Sequence, residues 1–224
     1  MLKILSLGGS LIVPNDVDYK FLKGFRELIL DFVKKGNKVI IVCGGGSTCR
    51  KYYAAMPKIT KMSKVDYDWV GVMATRLNAE LIRVMFHGTA EKKVMYKANE
   101  KYHFSKILIV GGDKPGGSSD LDAVELAKAN HANEVINLTD IDYVYNKNPK
   151  KYKNAKPYEE LTWAEYKTIC GGKWVPGMHL PFDPIASQKA MDYGLEVTIT
   201  NGRDLKNLKK ILNGESNIKG TIIG

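Results

Sequence analysis

The chain has 224 residues, enough for one large α/β domain or two small ones. A hydrophobic share of 44% and a charged share of 26% are those of soluble globular proteins, and no apolar run is long enough to span a bilayer. The net charge of +10 is spread along the chain, with one dense patch at 147–153. It reads first as a solvated surface, then as attraction for anionic metabolites, and only third as nucleic-acid binding.

Cys43, Cys49 and Cys170 lack metal-ligand spacing and read as free thiols of a cytoplasmic protein. The four histidines are scattered, and none is assigned to a metal. The N-terminus enters a strand pattern at once, without a signal-peptide layout.

Residues 3–7 form a short apolar run that ends in Gly8, Gly9 and Ser10, the pattern of a buried strand entering a glycine turn. Residues 18–35 place Phe21, Leu22, Phe25, Leu28, Ile29, Phe32 and Val33 at helical spacing, and Gly36 stops the helix. A second apolar run, 39–43, enters Gly44, Gly45, Gly46 and Ser47, after which a helix opens with Arg50 in its first turn. Residues 68–86 carry Trp69, Val72, Met73, Leu77, Leu81 and Val84 as the apolar set of another helix.

The run 107–110 ends in Gly111 and Gly112, then Pro115, Gly116, Gly117, Ser118, Ser119 and Asp120. A helix over 120–130 follows, with Ala123, Leu126 and Ala127 on one face. A strand at 135–138 ends at Thr139 and Asp140. Thr162 and Glu165 have capping-box spacing for a helix to about Ile169. The Gly- and Pro-rich stretch 171–184 reads as an irregular loop and a candidate lid. A helix at 186–193 stops at Gly194, and a strand at 196–199 ends at Thr200, Asn201 and Gly202. Leu205, Leu208, Ile211 and Leu212 mark a last amphipathic helix.

This β–α alternation predicts a three-layer αβα sandwich with a largely parallel central sheet, a single domain over 1–224. The strand ends then line one crevice at the carboxyl edge of the sheet. Glycines there let backbone N–H groups approach an anion with no Cβ in the way. The phosphate chemistry is neither of two familiar kinds, because the chain has no G-x-x-x-x-G-K-[ST] and no G-x-G-x-x-G after a strand.

The helix that opens after Gly46 offers free N–H groups and a positive dipole end to phosphate. Arg50 is either a bidentate partner of that phosphate or a surface arginine. Ser118 and Ser119 read as helix caps that also face a ligand. Asp120 and Asp122 would repel a bare phosphate and suit a ribose hydroxyl, a base N–H or a cation. Tyr145 either stacks on a base or plugs a core edge, and Asp183, before Pro184, is an N-cap by position.

In order along essentially the whole chain, these segments resemble the amino-acid kinase superfamily, and within it the archaeal-type UMP kinase branch. The resemblance rests on Leu7-Gly8-Gly9-Ser10, on VCGGGSTCRKY at 42–52, and on the helix from Asp68 through Thr75-Arg76-Leu77-Asn78-Ala79. It continues through the 111–120 loop (G-G-x-x-P-G-x-[ST]-[ST]-D), the 139–149 segment, Asp183-Pro184, and the closing Gly220-Thr221-Ile222-Ile223.

The resemblance implies an amino-acid kinase-like αβα fold and a cytoplasmic enzyme of pyrimidine nucleotide biosynthesis. That enzyme would transfer the γ-phosphoryl group of ATP to UMP, with Mg²⁺, in a hexamer built from dimers. By position, Gly44, Gly45, Gly46 and Arg50 would hold the UMP phosphate and Asp68 the ribose. Ser118 and Ser119 would lie near the uracil and phosphate. Gly8, Gly9 and Ser10 would face the ATP phosphates, and Thr139, Asp142 and Tyr145 the ATP base and ribose. Asp120, Asp183 and Arg50 would organise the transfer, with Mg²⁺ on the ATP phosphates and no side chain assigned to it. The acceptor phosphate is already ionised, so the implied reaction is direct in-line transfer without a strong general base. The helix at 18–35 is the candidate interface element.

The chain departs from the pattern at Ser6, where many superfamily members carry lysine, and at Asp140, Tyr143 and Asn148 in the fourth motif. Asp122 is an added acid beside the acceptor loop. These departures keep open a different small acceptor, or a non-catalytic nucleotide- or oxyanion-binding or storage protein on the same fold. No histidine lies between Gly46 and His87, against an isopentenyl-phosphate-type acceptor.

Overall fold

The computed structural model describes residues 1–149, 151–169 and 180–224. Most of the candidate lid, with Cys170 and His179, lies outside the described residues. The first half of the chain runs β1 (Leu2–Leu7), α1 (Gly9–Ile12), α2 (Tyr19–Lys34), β2 (Lys38–Cys43), α3 (Gly46–Ile59), α4 (Lys64–Met85) and β3 (Ile107–Val110). It continues with α5 (Ser119–Ala129), β4 (Glu134–Thr139), β5 (Val144–Tyr145), β6 (Pro157–Tyr158) and β7 (Glu160–Leu161). The last elements are α6 (Trp163–Ile169), α7 (Pro184–Tyr193), β8 (Glu196–Asn201), α8 (Leu205–Asn213) and β9 (Thr221–Ile223).

One seven-stranded sheet has the order β3-β2-β1-β4-β8-β9-β7. From β3 to β8 every neighbouring pair is parallel, and β9 lies antiparallel to β8. The registers set Leu7 beside both Cys43 and Leu138, so β1, β2 and β4 end level at one edge.

The central strands are mostly apolar on both faces, as a sheet covered on both sides requires. On one face Leu5, Leu7, Ile41 and Ile109 meet Phe25, Ile29 and Phe32 of α2, Ile82 of α4 and Leu208 of α8. On the other, Ile4, Val42, Val110 and Val197 meet Ala123 and Ala127 of α5 and Ala186 and Ala190 of α7. Two cores on either side of one sheet make the three-layer sandwich.

The boundaries follow local chemistry. Asp18 caps α2 by accepting from Phe21 N at 3.0 Å, and Gly36 after its end has φ +87°. Thr162 and Glu165 form the capping box at the start of α6, each side chain taking the other's backbone N–H. Gly194 ends α7 in the left-handed region at φ +63°.

Helix α2 turns Phe21, Leu22, Phe25, Ile29, Phe32 and Val33 into the core and leaves Tyr19 exposed at its start. One expectation changes. Helix α4 begins earlier than its apolar pattern suggested, at a capping box of Ser63 and Asp66. Of the apolar set read for it only Val72 is buried, while Trp69, Met73, Leu77, Leu81 and Val84 are exposed. The face that packs inward is Val72, Ala74, Asn78, Ala79 and Ile82.

Candidate active site

The three glycine clusters do sit at the carboxyl ends of β1, β2 and β3, but much of their glycine serves contact between loops. A Cβ on Gly9 would stand 2.0 Å from Gly46 N, and one on Gly44 2.6 Å from Gly9 N. Gly46 has φ +64°, and a Cβ there would stand 2.3 Å from Gly9 O. The first two loops therefore lie backbone against backbone, closer than any side chain permits. Gly8 donates to Leu138 O at 2.9 Å, tying the same cluster to the end of β4.

Helix α4 fastens the second and third loops. Buried Asn78 donates from Nδ2 to Gly44 O at 2.7 Å and to Gly45 O at 3.1 Å. Thr75 Oγ1 accepts from Gly112 N at 2.8 Å. Arg76 donates to Gly112 O at 3.0 Å and Asp113 O at 2.8 Å, with its guanidinium 4.2 Å from the Tyr96 ring centroid. Asp68 accepts from Gly116 N at 3.0 Å.

Between these parts lies a cavity of ≈ 180 Å³. Gly45, Cys49 and Tyr53 line it from α3 and its cap, and Asp68, Gly71, Val72 and Thr75 from α4. The third loop gives Gly112, Lys114 and Gly117, and the start of α5 gives Ser118, Ser119 and Asp122. Gly45 is the N-cap of α3 and Ser118 that of α5, so two helix N-termini open on one cavity. Both dipoles point their positive ends at it, which suits a phosphate group. Desolvation at the cavity wall pushes the Cys49 thiol up, while the Tyr53 bond and the Arg50 charge oppose that shift.

Asp120 stands beside this cavity, at the second residue of α5. Its Oδ1 accepts from Ser6 Oγ at 3.0 Å and its Oδ2 from Asp183 N at 3.2 Å. Burial pushes its carboxyl up to about 6, against the two hydrogen bonds and with some help from the Asp183 charge. Ser6 is fully buried on β1, so the position of the family lysine is occupied by a hydroxyl that orients Asp120. Asp183 caps α7 by accepting from Ala186 N at 2.8 Å.

Of the expected acceptor residues, Gly45, Asp68, Ser118 and Ser119 line the cavity, and Gly44 and Gly46 lie in the same loop behind it. Arg50 does not line it. Its side chain is exposed and donates to Pro14 O at 3.2 Å, one of several ties between α3 and the 13–15 segment. Ser47 N bonds Val13 O, and Ser47 Oγ and Lys51 Nζ both bond Asn15 O.

The expected donor residues gather apart from the cavity, around the ends of β1 and β4. Thr139 O accepts from Gly202 N at 2.9 Å, Asp142 accepts from Asn201 Nδ2 at 2.9 Å, and the Tyr145 ring meets Tyr143 edge-on at 6.2 Å. Gly8, Gly9 and Ser10 lie at the start of α1 beside them. The carbonyl of Asn148 accepts from Lys151 N and Tyr152 N in a turn.

Sequence reasoning gave no role to Thr75, Arg76, Asn78, Cys49, Tyr53 or Lys114. A usable signal was present for two of them: Thr75 and Asn78 share a helical face with Val72, Ala79 and Ile82, and polar groups on a buried face need partners. Among the described residues no cluster of three or more His, Cys, Asp or Glu could hold a metal ion. No helix among them is long and apolar enough to cross a membrane.

The sequence profile of the amino acid kinase family matches residues 1–201. A uridylate kinase of Methanobrevibacter smithii is 32% identical over 216 residues, 95% of each chain. One from Sulfolobus acidocaldarius is 32% identical over 203 residues, 88% of each chain. The crystal structure of uridylate kinase from Archaeoglobus fulgidus superposes with a TM-score of 0.85 at 29% identity, covering 100% of both chains. On the profile match and these relatives, the chain belongs to the amino acid kinase family.

Proposed function

We propose that this chain is a UMP kinase that transfers the γ-phosphoryl group of ATP to UMP, giving UDP and ADP. The observation that carries the reading is the cavity between the N-termini of α3 and α5, with the Asp68 carboxylate in its wall. Helix amides suit a phosphate, and a carboxylate suits the hydroxyls of a ribose. The uridylate kinase relatives extend over nearly the whole chain.

UMP would place its phosphate at the Gly44–Gly46 turn, its ribose at Asp68, and its uracil toward the α5 side, with Ser118 and Ser119 near both base and phosphate. ATP enters as its Mg²⁺ complex, with its phosphates at Gly8, Gly9 and Ser10 and its nucleoside at Thr139, Asp142 and Tyr145. No side-chain cage for the metal is needed, because it travels on the donor phosphates. The acceptor phosphate is the nucleophile, so the protein's part is to hold two anions in line and offset the charge between them. Asp120, fixed by Ser6 and the Asp183 amide, marks the boundary between the two nucleotides. Arg50 would join the site by releasing Pro14, a side-chain movement open to an exposed residue.

The chain would act as one domain, in the cytoplasm, and as a hexamer built from dimers. The exposed stripe of Trp69, Met73, Leu77 and Val84 on α4 supports the dimer contact. Leu77→Glu is expected to lower the mass seen by light scattering, and an unchanged mass would remove α4 from the interface.

The direct test is ADP release with ATP·Mg²⁺ against a panel of nucleoside monophosphates and small acids. Turnover with UMP is expected. Turnover of a non-nucleotide acceptor with none of UMP would overturn the reading, as would binding of UMP and ATP without turnover.

A further inference from the structure

The acceptor cavity contains a carboxylate that the mechanism does not use. Asp122 is 7% exposed and lines the cavity one turn into α5. Its Oδ2 accepts a long bond of 3.4 Å from Asp113 N. Its Oδ1 has no hydrogen-bond partner among the described residues and lies on the Gly117 side, 3.9 Å from where a Cβ on Gly117 would stand. A carboxylate there repels the phosphate of an acceptor, so the base is the part of the nucleotide that suits it.

Resting on the UMP kinase reading, we propose that Oδ1 of Asp122 reads the edge of the acceptor base and sets the choice between uracil and cytosine. Protonated, this oxygen donates to a carbonyl of uracil. Ionised, it repels that carbonyl and accepts from the exocyclic amine of cytosine instead. The surroundings keep both states within reach of neutral pH. Burial first, then the negative charges of Asp113, Asp120 and Glu125, push the carboxyl up to about 7, against the bond from the Asp113 amide. Across the cavity stand Asp68 from α4, Cys49 and Tyr53 from α3, and Lys114 from the third loop. On the α7 side Asp183 meets Asp120.

The test is the affinity for UMP and for CMP, each measured by calorimetry between about pH 6 and pH 8. Both nucleotides carry the same phosphate, so its titration cancels in the ratio of their dissociation constants. For the native chain the preference for UMP over CMP is expected to fall about tenfold as pH rises, the scale of one hydrogen bond gained or lost in a closed site. Asp122→Asn keeps an acceptor for the Asp113 amide and presents an N–H to the cavity. It is expected to hold the acid-side preference at every pH.

A ratio that does not change with pH in the native chain overturns the proposal, as does the native pH dependence persisting in Asp122→Asn. In either case tight UMP binding leaves the kinase reading intact. If neither nucleotide binds at any pH, that reading falls and the proposal falls with it.

Discussion

Asn78 tests whether α4 sets the shape of the acceptor cavity. Its buried Nδ2 donates to the carbonyls of Gly44 and Gly45 at 2.7 and 3.1 Å. Asn78→Ala removes both donors. The Gly44 carbonyl is buried, and leaving such an acceptor unpaired costs about 1–3 kcal/mol, while the half-buried Gly45 carbonyl regains water at about 0.5 kcal/mol. The sum, about 1.5–3.5 kcal/mol, is expected as a lower urea midpoint with unchanged slope. Because Gly45 lines the cavity, KM for UMP is expected to rise about tenfold, with the KM for ATP within about twofold of the native value. Asn78→Asp keeps the shape but sets carboxylate oxygens against two carbonyls, so it must be worse than alanine in both readouts. An aspartate variant with native stability and native KM for UMP would refute the reasoning, since that result requires only shape to matter.

Three further outcomes follow from the same geometry. Arg76→Lys is expected to raise the KM for UMP about as much as Arg76→Ala, because a single ammonium cannot span Gly112 O and Asp113 O or stack on Tyr96; full rescue by lysine in steady-state kinetics would contradict this. Gly9→Ala is expected to prevent native folding, whereas Gly36→Ala, in open space at φ +87°, costs about 1–2 kcal/mol, and near-equal melting temperatures for the two would disprove the loop contact. Burial raises Asp120 to about 6 and Asp122 to about 7, so both hold protons in the folded chain that the unfolded chain has released. Stability should therefore fall as pH rises from the ordinary carboxylate range to about 7 and level off above it. The stability of Asp122→Asn relative to the native chain should rise through that window, and a constant difference between pH 5 and pH 8 would count against it.

The fold was legible because the five central parallel strands are short apolar runs that end in glycine or polar residues, and several helices carry starts and stops written in the sequence. Asp18, the Thr162–Glu165 pair and Gly194 were all readable as stops and starts. What sequence could not supply was direction. The apolar residues of α4 have the spacing of a core face, and a stripe aimed at a protein's own sheet looks the same as one aimed outward. The structure resolves this by what lies on the other side: small Ala74 and Ala79 and polar Asn78, which let α4 approach loop backbone and bond its carbonyls.

The site shows the same division between local pattern and distant partner. Glycine clusters were visible as clusters, but the reason for glycine at Gly9 and Gly46 is a contact between two loops far apart in sequence. Ser6 read as a missing charge, because its partner Asp120 comes from another element entirely. Once paired, the serine has a consequence of its own. A lysine at that position would stand against Asp120 and hold its carboxyl ionised, whereas a hydroxyl leaves burial to raise it toward neutrality. On the proposed placement of the two nucleotides, the charge at their junction would then depend on pH and on the ligands themselves. ATP bound as its Mg²⁺ complex still carries net negative charge and would favour the protonated form of Asp120, so proton uptake on ATP binding near pH 7, absent in Asp120→Asn, is the calorimetric mark of that coupling.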